Sequence, residues 1–100
     1  MADLHNRYLE LTNRTLPELA KYRGFPVQFN HCFQRIILDN LFGCCWYDKL
    51  DRKSPAYRQL SDEQLEAAIA IAEAIIAQPD KYLIELNQNS LRWRGKSKRA

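Results

Sequence analysis

Apolar positions recur at helical spacing along nearly the whole of this 100-residue chain. They are densest over residues 30–50, NHCFQRIILDNLFGCCWYDKL. There Phe33, Ile36, Ile37, Leu41 and Cys44 fall on one helical face, and Leu38, Phe42 and Cys45 widen it beyond a single stripe. A helix apolar on most sides must be covered by others, so this one is the predicted centre of the fold. His31, Arg35 and Asp39 stand four residues apart on a different face and form a polar ridge.

The flanking pattern predicts the remaining elements. Leu4, Tyr8 and Leu11, following Asp3 as N-cap, predict a first helix over about 3–13. Thr15-Leu-Pro-Glu18 has the form of a capping box, with Pro17 tolerated in a first turn. It predicts a separate second helix that Gly24 ends. Pro26 pushes Phe25 toward extended backbone, and Phe25, Val27 and Phe29 alternate as an extended connector. The central helix is expected to run from 30 to about 49. Gly43 can end it or merely weaken it, a mid-helix glycine costing about 1 kcal/mol relative to alanine, but Trp46, Tyr47 and Leu50 continue the apolar pattern and favour continuation.

Ser54-Pro55 opens a single turn through Tyr57 to Leu60. Ser61-Asp-Glu-Gln64 is a second capping box, followed by a stripe of Leu65, Ala68, Ile69, Ala72, Ile75 and Ile76. Pro79 stops that helix, and Tyr82, Leu83 and Leu86 point the next one inward. Residues 87–90 break the pattern, and Leu91 and Trp93 begin a last turn. The expectation is an all-α fold, a small bundle of about five helices around the central helix. Residues 1–90 form one domain and 91–100 a basic tail.

The hydrophobic fraction is 46%, which suits a globular chain rather than a disordered one. No apolar run approaches the length of about 18 residues that a membrane span needs. The first residues, MADLHNRYLEL, lack the basic and then apolar regions of a secretory signal, so a cytoplasmic location is expected. Cys32, Cys44 and Cys45 make an odd count that suits free thiols in a reducing compartment. Net charge is +3, but it is unevenly placed. The last ten residues hold five bases and no acid, which leaves ten bases against twelve acids in the body.

Candidate chemistry is sparse. His31, Arg35 and Asp39 are the candidate ligand-binding residues, since a histidine beside an Arg–Asp pair can hold an anion or move a proton. Their structural reading is an ion pair on the polar side of the helix. Arg92, Trp93, Arg94, Lys96, Lys98 and Arg99 interleave bases with an aromatic and are the candidate nucleic-acid contacts. A frayed, solubilising end explains them equally. The cysteines and His31 lack the spacing of a zinc site, so no metal is expected. Gly24, Gly43 and Gly95 are isolated, which excludes a phosphate loop or dinucleotide fingerprint, and no cofactor is expected.

HCFQRIILDNLFGCCWYDKL and the closing LNQNSLRWRGK resemble a family of small bacterial proteins, mostly uncharacterised, some of which carry the label GCN5-related N-acetyltransferase. The resemblance covers most of the chain and implies no established activity and no catalytic residue. The label implies an acyl-CoA site on a mixed α/β domain, with a glycine-rich pyrophosphate loop whose nearest counterpart here is Tyr22-Arg23-Gly24-Phe25. The expected function is therefore a non-catalytic binding or interaction protein that engages a protein partner or a second copy of itself. An acyl-CoA-dependent enzyme and nucleic-acid binding through the tail are the alternatives.

Overall fold

The computed structural model describes residues 3–95. Asp3 opens the first helix, its carboxylate accepting the backbone N–H groups of His5 and Asn6. That helix, α1 (Leu4–Glu10), continues through a π turn (Leu11–Thr15) into α2 (Leu16–Arg23). The expected break at Thr15 is absent. Thr15 has helical backbone angles and its side chain caps nothing. Pro17 explains the wide turn. Its ring crowds the carbonyl four residues back and it has no N–H to donate. Opening the preceding turn to five-residue bonds, such as Leu16 N–H to the Leu11 carbonyl, relieves the crowding without ending the helix. Gly24 then ends α2 in the left-handed conformation, at φ 68°.

The connector buries Phe25 and exposes Phe29, and α3 (Asn30–Phe42) begins directly after it. This is the central helix, and Phe33, Ile36, Ile37, Leu38 and Asp39 along it are all buried. It is shorter than the sequence pattern suggests. Gly43 adopts φ 71°, and the Asp39 carbonyl accepts both the Gly43 N–H at 2.8 Å and the Cys44 N–H at 3.2 Å. A left-handed glycine cap therefore ends the helix where the apolar pattern runs on. Trp46, Tyr47 and Asp48 form a separate 3-10 turn.

A second 3-10 turn at Ala56–Gln59 leads to α4 (Asp62–Ala77), which starts with the predicted box. Ser61 Oγ accepts the Gln64 N–H at 3.1 Å, and Gln64 Oε1 accepts the Ser61 N–H at 2.9 Å. Leu65, Ala68, Ile69, Ala72 and Ile75 are its buried stripe. Arg23 finishes its C-terminal end, donating to the carbonyls of Ile76 at 3.1 Å and Gln78 at 2.8 Å and pairing with Asp80. A cation there also suits the helix dipole.

The last helix, α5 (Asp80–Trp93), passes straight through residues 87–90, where the pattern predicts a break. Asn87, Asn89 and Ser90 bond polar side chains of α3 while Gln88 is exposed, so the apolar period fails without the helix failing. It also takes Leu91, Arg92 and Trp93 out of the expected tail and into the domain. Among the described residues there is no strand, and no helix is long and apolar enough to cross a membrane.

The core joins Tyr8 and Leu11 to Leu16, Phe33, Ile36 and Ile37 of the neighbouring helices, and to Leu65, Ile75 and Leu83 beyond. The Tyr8 hydroxyl is buried there without a hydrogen-bond partner among the described residues, and burial pushes its pKa up. Of the eleven aromatics only Tyr22, Phe29 and Tyr47 are exposed, so one chain covers most of its own aromatic surface. Gly43→Ala has room for its Cβ but must hold positive φ. We expect it to lower stability by about 1 kcal/mol in urea denaturation without loss of helix content by circular dichroism.

Candidate functional site: an arginine-lined cleft over a buried carboxylate

α3 places His31, Arg35 and Asp39 one turn apart, but they do not form one exposed ridge. His31 is exposed, Arg35 half-buried and Asp39 fully buried. The row runs from solvent into the core because α5 packs over residues 35–40 of α3. Arg35 and Asp39, expected to pair directly, are instead bridged. Arg35 Nη1 donates to Ser90 Oγ at 2.7 Å, and that hydroxyl donates to Asp39 Oδ2 at 2.6 Å. Arg35 Nη2 donates to Asn87 Oδ1 at 2.9 Å.

Asp39 takes its direct ion pair from Arg94, just beyond α5. Arg94 Nε donates to Oδ2 at 2.7 Å and Nη2 to Oδ1 at 3.1 Å, a two-pronged contact. The Trp46 N–H completes the set, donating to Oδ1 at 2.9 Å. The carboxylate thus accepts four hydrogen bonds, two on each oxygen, which is about its full capacity. Hydrogen bonds to Asp39 raise the Arg94 pKa above its ordinary value, against the burial that lowers it. Gly43 is what makes the Trp46 bond reachable, because its left-handed turn folds the chain back over the end of α3.

This node forms one wall of an open cleft of about 680 Å³. His31, Gln34 and Arg35 line it from α3, Trp46 and Tyr47 from the 3-10 turn, Arg52, Lys53 and Ser54 from the following loop, and Arg94 from beyond α5. Tyr47 holds two of the cations. The Arg52 guanidinium lies 4.3 Å from its ring centre and that of Arg94 lies 4.9 Å away. Among the described residues no Asp or Glu lines the cleft. Arg35, Arg52, Lys53 and Arg94 thus bring four positive charges; Asp39 sits behind Arg94, and Asp51 Oδ1 accepts the Lys53 backbone N–H at 2.9 Å. At the rim, His31 stacks on Phe29 with rings parallel to within 3° and centres 5.8 Å apart.

The expected nucleic-acid contacts divide. Arg92 is exposed and donates to Asn89 Oδ1 at 2.7 Å, Trp93 is half-buried, and Arg94 is the partner of Asp39. Lys96, Lys98 and Arg99 lie outside the described residues. Cys32, Cys44 and Cys45 are free and half-buried. Among the described residues no three His, Cys, Asp or Glu side chains come together as a metal site. The Arg23–Gly24 segment, the nearest counterpart of a pyrophosphate loop, is engaged in capping α4. No family model, curated protein or solved structure matches the chain.

Ser90, Arg94, Tyr47, Arg52 and Lys53 are the site residues that sequence reasoning missed. A signal for the first two exists. Asn87, Ser90 and Arg94 recur at three and four residues, a polar face that mirrors the one on α3. Ser90→Ala would leave Asp39 short of a donor and Arg35 short of an acceptor. We expect a loss of about 1–3 kcal/mol in urea denaturation. A change too small to resolve would mean that the bridge contributes nothing.

Proposed function

We propose that this chain is a small cytoplasmic binding protein, without catalysis of its own, whose partner is anionic and enters the arginine-lined cleft. The observation that carries this reading is the convergence of Arg35, Arg52, Lys53 and Arg94 on one open cleft with no acid among its lining residues. Like charges gathered from three separate segments repel one another. An anion between them relieves that repulsion, and their field draws such a ligand in.

A non-catalytic role is supported by the saturation of the polar node. Asp39 is the buried carboxylate behind Arg94, and its lone pairs are already engaged by Arg94, Ser90 and Trp46. A base in that state has nothing with which to take a proton. The three free thiols suit a reducing compartment, which supports the cytoplasm. The partner on this reading is a macromolecule carrying negative charge, met at a surface rather than enclosed in a pocket.

The reading is tested by thermal shift with inorganic polyphosphate, a polyglutamate peptide and acetyl-CoA, since a ligand that binds only the folded chain raises its melting temperature. We expect at least one polyanion to stabilise the protein, with the effect falling as salt rises. Arg52→Glu, a reversal at an exposed position, should reduce the affinity at least about tenfold, equivalent to about 1.4 kcal/mol. Stabilisation by acetyl-CoA alone would favour the acyl-CoA alternative. No response to any of the three would contradict an anion site.

A further inference from the structure

We infer that the anionic partner of this cleft is a single-stranded nucleic acid, whose phosphates meet the arginines and whose bases stack on the Phe29–His31 platform. The inference rests on the reading of the cleft as an anion site and adds the chemical class of the ligand. Positive charge alone does not choose between phosphates and carboxylates, but three features beside the charge do.

The first is the platform itself. Phe29 is 65% exposed, a large apolar surface for the residue just ahead of a helix, and its ring lies parallel to that of His31. His31 is a cleft-lining residue. The pair therefore offers flat aromatic surface beside the cations, the combination by which single strands are held without regard to sequence. Tyr47 does not serve this purpose, because two guanidiniums already lie against its ring. Its work is to hold Arg52 and Arg94.

Gln34 is the second feature. It lines the cleft, but its amide nitrogen is engaged by Thr12 Oγ1 at 3.2 Å and Asn13 Oδ1 at 3.4 Å. What it has left is a carbonyl acceptor. A base amino group can donate to that oxygen, so Gln34 suits the base of a bound nucleotide rather than its phosphate. The third feature is scale. A cleft of about 680 Å³ admits a few atoms of backbone with one or two bases. A duplex hides its base faces in its own stack and would present none to Phe29.

The test is fluorescence anisotropy with short labelled oligoadenylates, one of RNA and one of DNA, alongside competition by inorganic polyphosphate and a polyglutamate peptide. We expect the wild-type chain to bind an oligoadenylate with strongly salt-dependent affinity. Phe29→Ala, at an exposed position that gives up little packing, should weaken oligoadenylate binding about tenfold while polyphosphate competes as before. Arg52→Glu should weaken both. Oligoadenylate binding that is indifferent to Phe29→Ala, or matched by polyglutamate, would overturn the inference and leave the anion site standing. Binding lost on removal of residues 96–100 but not in Arg52→Glu would also overturn it, by placing the contact on the tail. Failure of every polyanion to bind would remove the anion site and the inference together.

Discussion

The buried carboxylate of Asp39 is the constraint on which the rest of the structure depends. A charge inside a core is costly unless it is paired and its lone pairs are filled. Here the pairing recruits three separate parts of the chain: Arg94 from beyond α5, Ser90 from within α5, and the Trp46 N–H from the turn after α3. Each bond fixes one segment against the central helix. Apolar burial would hold α5 somewhere against α3, but it is non-directional. The four directed bonds to one carboxylate set where it lies.

The cleft follows from the same node. Because the chain reverses at Gly43 to bring the Trp46 N–H to Asp39, Tyr47 comes next to Arg94, and the loop carrying Arg52 and Lys53 follows into the lining of the same cleft as Arg35. A negative charge placed in the interior for structural reasons thus orders a positive surface outside it. Arg94 belongs to both, neutralising Asp39 with two nitrogens and lining the cleft as well. The side chains of Arg35, Arg52 and Lys53 make no ion pair among the described residues, although Asp51 Oδ1 accepts the Lys53 backbone N–H. That imbalance is what distinguishes this cleft from an ordinary hydrated groove.

The all-α fold and the central place of α3 were legible in the sequence because both rest on apolar periodicity, which local reading captures well. The Ser61 box and the Gly24 stop were legible for the same reason, since caps are local chemistry. Three errors share a different cause. Thr15 looked like a cap, but the helix could absorb Pro17 by widening one turn. Gly43 was open to either reading, and the apolar pattern favoured continuation, although the Trp46 bond to Asp39 rewards ending the helix there. Residues 87–90 looked like a break because their partners, Arg35, Asp39 and Asn40, are some fifty positions away. The row of His31, Arg35 and Asp39 was legible as a helical face but its burial was not, for burial is decided by what packs on top. Arg52 and Lys53 gave no signal at all, because only the tertiary fold puts that loop opposite α3.

If Asp39 and Arg94 act as one unit, their substitutions are coupled. A double-mutant cycle measures this, with Asp39→Asn, Arg94→Gln and the double variant compared in urea denaturation. Asp39 has no exposed side-chain surface and Arg94 only 13%, so each single change leaves a poorly solvated charge without its partner. The account predicts that the double variant is less destabilised than the sum of the two single variants, with a coupling of about 2 kcal/mol or more. Additive losses would contradict it, and the cleft would then have to be organised by packing alone.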